Sequence, residues 1–183
     1  MAGRVRRQAA NDILRPEIIS PEWLLMSPTS KVRNTLTFTL DITRPIAVVF
    51  GHLSVPRNFI GLQPLLIDIS KVNETTENGV TVHRYTTTEE FRFFGFIPYH
   101  NRIHVTTRLT KPYTRLDTHV ESPGGVTLDV EYLLSESNGV THLQEVIHVQ
   151  SLQITTGFVL REATKAQNTL LARLKKRLES QPV

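Results

Sequence analysis

Residues 138–180 read NGVTHLQEVIHVQSLQITTGFVLREATKAQNTLLARLKKRLES, and the periodicity changes within this stretch. Its first part alternates apolar and polar residues, which is typical of a strand with one buried face. From near Thr155 to Glu179 the apolar residues recur at spacings of three and four, which predicts an amphipathic helix of about six turns and about 35 Å. The residues of that apolar stripe are Val159, Ala163, Ala166, Leu170, Leu174 and Leu178. The chain therefore closes with a strand followed by a long helix.

The segments upstream repeat the strand pattern. Residues 35–42 alternate strictly, Pro45 suits the first turn of a helix, and Pro56 ends that helix before a second short helical piece near residues 57–62. Further strands are predicted over residues 65–75, 80–91, 99–109, 116–121, 126–134 and 143–149. Because nearly every strand alternates, the sheet has one buried face, which the long helix must cover. The predicted fold class is α+β: a curved antiparallel sheet of about seven strands around a long C-terminal helix, with two short helices after the first strand.

Length and composition fit a single globular domain preceded by an extension. The chain has 183 residues, of which 39% are hydrophobic and 21% charged. Prolines 16, 21 and 28 interrupt residues 1–34, so this segment is assigned to an N-terminal extension and residues 35–180 to the domain. We expect a cytoplasmic location, because no apolar run approaches the ~20 residues of a membrane span and no secretory signal is present. The arginines at positions 4, 6 and 7 leave organelle import as an alternative.

Several classes of function have no support in the sequence. The absence of cysteine excludes disulfides, cysteine-ligated metals and cysteine nucleophiles. His100 and His104 are four residues apart on a strand, about 13 Å, which is too far for two ligands of one zinc ion. There is no phosphate-binding glycine loop and no serine nucleophile motif. The basic residues of the C-terminal helix lack interleaved aromatic residues and fit a solvated face. We therefore predict no metal, no cofactor and no nucleic acid partner.

The order of elements resembles the START-like, or SRPBCC, superfamily and its helix-grip fold, known from the birch-pollen allergen. The resemblance covers about residues 35–180 and is carried by TFTLDITRPIAVVFGHLSVPRNFIGLQPLL (37–66), ENGVTVHRY (77–85), VTLDVEYLL (126–134) and residues 138–180. It implies a hydrophobic cavity between sheet and helix. Members of the superfamily bind lipids, sterols, polyketides, quinones or plant hormones, some branches cyclise or dehydrate polyketides, and others activate chaperones.

The apolar faces of the predicted elements, together with this resemblance, predict a set of ligand-binding residues. The set is Phe38, Phe50, Phe59, Tyr85, Phe91, Tyr99, Ile103, Val105, Leu116, Val120, Leu128, Val130, Tyr132, Leu143, Glu145, Ile147, Val159 and Ala163. Its side chains would bury a small hydrophobic ligand, with Glu145, Tyr132 or Tyr99 orienting its polar groups. On the strand at residues 80–91 the inward set stays open between residues 83, 85, 89 and 91 and residues 80, 82, 84 and 86.

Glu145 is the candidate for chemistry, because it falls on the apolar side of the last strand. A buried carboxylate is costly unless it is paired or protonated, so it could bind a ligand hydroxyl or act as a general acid or base. The sequence favours a structural explanation, in which a local twist exposes Glu145 or a nearby arginine pairs with it, because charged residues are seldom fully buried without a partner. The sequence favours a binding or transfer protein over an enzyme. The alternatives are a polyketide cyclase or dehydratase that uses Glu145, and a protein-interaction module such as a chaperone co-factor.

The connection FRFFGFIPY at residues 91–99 contains four phenylalanines and a tyrosine. Such an aromatic connection is unusual in water. Two interpretations remove this apolar area from solvent. In one, the connection is a lid or mouth of the cavity and makes transient contact with a membrane while a lipid is loaded. In the other, it folds back on the N-terminal extension.

Overall fold

The computed structural model describes residues 30–93 and 97–180, without the side chains of residues 91–93 and 97–99. These residues form one seven-stranded antiparallel sheet in the order β1-β7-β6-β5-β4-β3-β2. The strands are β1 (Lys31–Ile42), β2 (Leu66–Glu77), β3 (Val80–Phe93), β4 (Ile97–Lys111), β5 (Arg115–Ser122), β6 (Val126–Ser137) and β7 (Val140–Leu152). The sheet is curved, and its single buried face was predicted from the alternation of the strands.

The helices also confirm the predicted fold. Helix α1 (Ile46–Ser54) follows β1, a short 3₁₀ helix (Pro56–Phe59) comes next, and a second 3₁₀ turn (Gln153–Thr155) leads into α2 (Thr156–Glu179). The turn signals act as expected: Asn78, Gly79, Asn138 and Gly139 all have positive φ, which gives tight hairpins their twist. β1 begins at Lys31 and pairs with β7 from Leu152 onward, although residues 31–34 are too polar to indicate a strand. The boundary between extension and domain remains a prediction.

Helix α2 covers the sheet unevenly along its length. Its buried residues are Leu170, Leu171, Leu174 and Leu178, all in the C-terminal half. None of residues 156–169 is fully buried. The C-terminal half therefore seals one end of the sheet, and the N-terminal half lies over a region that it does not close.

The hydrophobic core is divided into two clusters. The larger joins α1 and the C-terminal half of α2 to β6, β7 and the end of β1, and includes Leu143 and Leu174. The smaller contains Leu66, Ile69, Tyr85, Ile103 and Val105, from β2, β3 and β4. Compact domains of this size usually have one contiguous core. The division leaves space between the two clusters.

Two arginines of α2 fix the segment between the 3₁₀ helix and β2. Arg177 donates hydrogen bonds to the carbonyls of Asn58 and Ile60, and Arg173 donates to the carbonyl of Gly61 at 3.3 Å. Hydrogen bonds from charged donors are stronger than neutral ones, so these contacts hold the segment against the helix. They also position Phe59 and Gln63, which lie at the edge of the space between the two clusters.

A side chain at Gly61, within this segment, should destabilise the fold. Its φ is +78°, and an added Cβ would lie 3.1 Å from the guanidinium of Arg177. We expect Gly61→Ala to lower the free energy of unfolding by about 1–2 kcal/mol, because a non-glycine residue in the left-handed region is strained. The matched control is Gly51→Ala in α1, where nothing lies within 4 Å. That variant should be neutral or more stable by about 0.5–1 kcal/mol. Equal effects of the two changes in urea unfolding would contradict this account.

Candidate functional site

A cavity of about 150 Å³ lies between the two core clusters. The smaller cluster provides Leu66, Ile69, Ile103 and Val105 as one wall. The larger cluster provides Val130, Tyr132 and Ile147 as the opposite wall. Gln167 of α2 reaches it from the helix side. We call this space the inner chamber.

A row of hydroxyl groups interrupts the apolar wall of the inner chamber. The phenol of Tyr85 lies 3.2 Å from the hydroxyl of Thr107, which lies 3.1 Å from that of Thr118. Tyr85 and Thr118 line the chamber together with Thr87. These hydroxyls hydrogen-bond to one another, and each can rotate to donate to or accept from a ligand. The chamber is therefore apolar with a polar strip, as is usual for small-molecule sites.

Glu145 of β7 is the charged group buried deepest in this wall, with a relative exposure of 1%. The side-chain amide of Gln167 donates a hydrogen bond to its Oε2, and Oε1 has no partner in the part of the chain that is described. Burial raises the pKa of Glu145 to about 7, although Tyr132 and Gln167 stabilise the charged form and lower it. Neither a twist toward solvent nor an arginine compensates this carboxyl. Near neutral pH it can therefore accept a hydrogen bond or donate a proton.

Tyr132 is the cross-strand neighbour of Glu145 and also faces the inner chamber. Its ring is buried, and burial together with the nearby Glu145 charge raises its pKa well above the ordinary value. The phenol therefore stays neutral and keeps its proton at physiological pH. The pair offers a carboxyl and a hydroxyl side by side to whatever occupies the chamber.

Glu89 of β3 marks the outer edge of the inner chamber. Burial raises its pKa to about 7. The amide of Gln63 lies 3.4 Å from its Oε1, and the Oε1 of Gln63 accepts a hydrogen bond from the backbone N–H of Leu65. Gln63 is thereby oriented toward Glu89. A second carboxyl with a raised pKa thus lies on the way into the chamber.

A second hollow of about 240 Å³ continues from the first, and we call it the outer chamber. The two share Gln63, Glu89, Ile103, Val120 and Leu128 along their boundary. The N-terminal half of α2, which does not close over the sheet, forms the far wall. Phe158 on that wall is 58% exposed, so the outer chamber opens to solvent there.

Most of the predicted ligand-binding residues face one of the two chambers. The inner chamber is lined by Phe59, Tyr85, Ile103, Val105, Val120, Leu128, Val130, Tyr132, Glu145 and Ile147. Val159 and Ala163 line the outer chamber. For β3, where two faces were open, the residues that face the inner chamber are Tyr85, Thr87 and Glu89. Ligand binding by these residues remains a prediction.

Six predicted residues do not fall on the chamber walls described. Phe50, Leu116 and Leu143 are buried in the larger core cluster, and Phe38 packs against it. They lie on the correct faces, but they are covered by α1 and by the closed half of α2; Phe50, for example, packs against the ring of Tyr113. The side chains of Phe91 and Tyr99, and the aromatic connection at residues 91–99 as a whole, lie outside the described side chains.

Sequence reasoning missed several polar residues of the site. Gln63, Thr87, Thr118 and Gln167 line the inner chamber, and the two carboxamides contact Glu89 and Glu145. The sequence did indicate that Gln167 faces inward, because it falls on the apolar stripe of α2 four residues after Ala163. Nothing in the sequence indicated which way the threonines face, because threonine is common on both faces of strands.

No other part of the described residues combines a cavity with mainly apolar walls and a buried carboxyl. Depressions on the outer face of the sheet are lined mainly by polar residues such as Asp41, His142, His119 and Asp129, which are exposed and paired with one another. No group of three potential metal ligands occurs in residues 30–93 and 97–180. Within the same residues, no helix combines the length and apolar character needed to cross a bilayer.

Comparison with known proteins identifies the fold. No family model matches the sequence, and no curated protein matches it. Solved structures do match: a START superfamily protein from Mycobacterium smegmatis has a TM-score of 0.62 at 12% identity, covering 79% of this chain and 97% of that one. Ara h 8.0201 gives 0.58 at 11% identity, covering 82% and 100%. The Zhui aromatase/cyclase from Streptomyces gives 0.55 at 13% identity, covering 81% and 98%. The chain therefore has the helix-grip fold of the START-like, or SRPBCC, superfamily.

Proposed function

We propose that this protein binds a small, mainly hydrophobic ligand with one or two polar groups in the inner and outer chambers. One observation carries the proposal: Glu145 is buried on the chamber wall beside the phenol of Tyr132, and among the described residues its Oε1 has no hydrogen-bond partner within 3.5 Å. An unsatisfied buried polar atom costs free energy, and a ligand that completes it recovers that cost. The apolar walls supply affinity, and the carboxyl, the phenol of Tyr132 and the carboxamide of Gln167 orient the ligand.

The dimensions of the chambers limit the size of the ligand. The inner chamber of about 150 Å³ matches the volume of engineered apolar cavities that hold benzene. The ligand would therefore place a group about the size of one ring beside Glu145. Its remainder would lie in the outer chamber and emerge near Phe158. A ligand that buries 200 Å² of apolar surface gains roughly 5 kcal/mol before the entropic cost of binding.

The structural neighbours are compatible with this proposal. Their descriptions include a START superfamily protein and aromatase/cyclases of biosynthetic pathways. A shared fold does not determine function, so the argument for this chain depends on its own chamber residues.

The experiment is native mass spectrometry of the purified protein, followed by solvent extraction of any co-purified molecule. Val120 lies on the boundary between the two chambers, so Val120→Phe should fill the passage. We expect this variant to bind the ligand about tenfold more weakly or worse, a loss of about 1.4 kcal/mol or more, because the phenyl ring occupies the passage that the ligand must span.

The matched control is Val146→Phe, on the outward parity of β7, which should leave ligand content unchanged. Two findings together would contradict ligand binding: no co-purified molecule in the wild type, and no thermal shift with any hydrophobic ligand. A protein-interaction module would then be the better account.

A second candidate function is favoured by one observation. Glu145 has a pKa raised to about 7 and a free carboxyl oxygen facing the chamber, which suits a general acid or base at neutral pH. On this account the protein is a cyclase or dehydratase that acts on a polyketide-like substrate. Conversion of the extracted molecule to a product of different mass by the wild type, but not by Glu145→Gln, would support catalysis over binding alone.

A further inference from the structure

The charges around both chambers have a single sign. The ionisable and carboxamide side chains that face them from the surrounding elements are Gln63 before β2, Tyr85 and Glu89 of β3, Tyr132 of β6, Glu145 of β7, and Gln167 and Glu162 of α2. Among the described residues, no lysine, arginine or histidine lines either chamber. β2, β4 and β5 contribute only apolar, hydroxyl-bearing or uncharged residues to the walls.

This arrangement does not suit an anionic ligand. A carboxylate or phosphate in the inner chamber would lie beside the carboxyl of Glu145 with no cation to compensate it. Like charges at such a distance repel strongly in a medium of low dielectric constant. A basic residue at the mouth, Arg161, pairs with Glu162 at 3.6 Å, lies over the ring of Phe158 and has a 70% exposed side chain. It is directed to solvent and not into either chamber.

We propose that the ligand carries a positively charged nitrogen, and that this nitrogen pairs with Glu145 in the inner chamber. The inference rests on the proposed function and specifies its ligand class: an amphipathic amine with a ring-sized apolar group. The ammonium donates a hydrogen bond to the free Oε1 of Glu145, while Gln167 continues to hold Oε2. Tyr85 and Tyr132 line the same chamber from its two opposite walls, and aromatic rings attract a nearby cation.

Glu89 and Glu162 extend the same preference to the entrance. They lie on opposite walls of the outer chamber, Glu89 on the sheet and Glu162 on α2. Arg161 offsets part of the charge of Glu162, so an incoming cation meets net negative charge mainly where Glu89 is ionised, above about pH 7. Such an arrangement raises the local concentration of a cation and lowers that of an anion.

The binding of a cation should depend on pH in a defined direction. In the free protein Glu145 holds a proton below pH 7 because burial raises its pKa to about 7. A bound ammonium stabilises the carboxylate, so binding below pH 7 must release that proton. Affinity for an amine that stays charged should therefore rise about tenfold per pH unit between pH 5.5 and 7 and level off above. A neutral or anionic ligand should show no such rise.

The test uses three probes with the same ring: 2-phenylethylamine, 2-phenylethanol and 3-phenylpropanoate. Their dissociation constants are measured for the full chain by NMR titration from pH 5.5 to 8.5. We expect the amine to bind about 10- to 100-fold more tightly than the alcohol at pH 8, because hydrogen bonds to charged groups are stronger than hydrogen bonds between neutral groups. We expect the carboxylate to bind more weakly than the alcohol at every pH.

The variant Glu145→Gln should bring the affinity for the amine down to that of the alcohol and remove its pH dependence. Glu121→Gln, the same change on the outward parity of β5, should leave all three affinities unchanged. Calorimetry in two buffers with different ionisation enthalpies should show proton release on amine binding at pH 6. The pKa of Glu89 is also raised to about 7, so the same measurement is made on Glu89→Gln, where proton release should persist. Loss of proton release in Glu89→Gln would overturn the pairing with Glu145, even if Glu145→Gln does not fold.

The outcomes separate the two proposals. If the alcohol or the carboxylate binds as tightly as the amine, the charge inference is overturned while ligand binding in the chambers stands. If the amine binds equally well to the wild type and to Glu145→Gln, the pairing with Glu145 is overturned. If none of the probes binds and no molecule co-purifies, both proposals fail.

Discussion

Glu145→Gln is expected to be as stable as the wild type at pH 5 and more stable at pH 8. The pKa of Glu145 is raised from 4.5 to about 7 by burial, so the folded state binds this proton more tightly than the unfolded state does. Below pH 4.5 Glu145 is protonated in both the folded and the unfolded state, and burying it carries no ionisation cost. The free energy of unfolding falls as the pH rises from 4.5 to 7, and this loss is complete above pH 7. One pKa step is worth about 1.4 kcal/mol, so the loss from Glu145 is about 3 kcal/mol. Glutamine does not ionise, so the variant does not undergo this loss of stability.

The measurement is urea unfolding of both proteins at pH 5, 6, 7 and 8. The wild type should lose stability across this range, and Glu145→Gln should lose less. A residual slope should remain in the variant, because the pKa of Glu89 is also raised to about 7 by burial. The double variant Glu145→Gln/Glu89→Gln should have a smaller slope still, with a remainder from His119, whose pKa is raised by its hydrogen bonds to Asp129 and Glu121. Asp68→Asn, which removes an exposed carboxyl of β2, should follow the wild type. Parallel curves for the wild type and Glu145→Gln would rule out the burial of an ionisable carboxyl at this position.

Leu174→Ala should destabilise the protein by about 2–5 kcal/mol, because it leaves a void in a packed core. Leu174 has 0% exposure and belongs to the larger core cluster, where the C-terminal half of α2 closes on the sheet. The same change in the other half of the helix, Leu160→Ala, should cost less than half as much. Leu160 is only partly buried and lies in the half of α2 where no residue is fully buried. Thermal or chemical unfolding of the two variants measures the difference.

The comparison tests the central structural claim about α2. If one half of the helix seals the core and the other half covers an open chamber, identical Leu→Ala changes must have unequal effects. Equal losses of stability would mean that the two halves are packed alike, which would contradict the uneven covering of the sheet by α2. A small loss for Leu174→Ala would contradict the sealed half in the same way.

The sequence by itself determined the order and type of the elements, because both depend on local periodicity. Alternation with a period of two and the turns at Asn78-Gly79 and Asn138-Gly139 set the strands, and the spacing of Val159 to Leu178 set the long helix. The inward position of Glu145 followed from the same alternation. These patterns decide which face of an element is buried.

Only the tertiary structure decided which buried residues border a cavity and which fill the core. Leu143 and Glu145 are two residues apart on the same face of β7, yet one packs in the larger cluster and the other lines the inner chamber. The difference arises from what lies above them: the packed leucines of α2 in one case and Gln167 in the other. Periodicity records burial, whereas an empty space depends on the distance between elements far apart in the chain. The pairing of Glu89 with Gln63, and of Glu145 with Gln167, depends on that distance too.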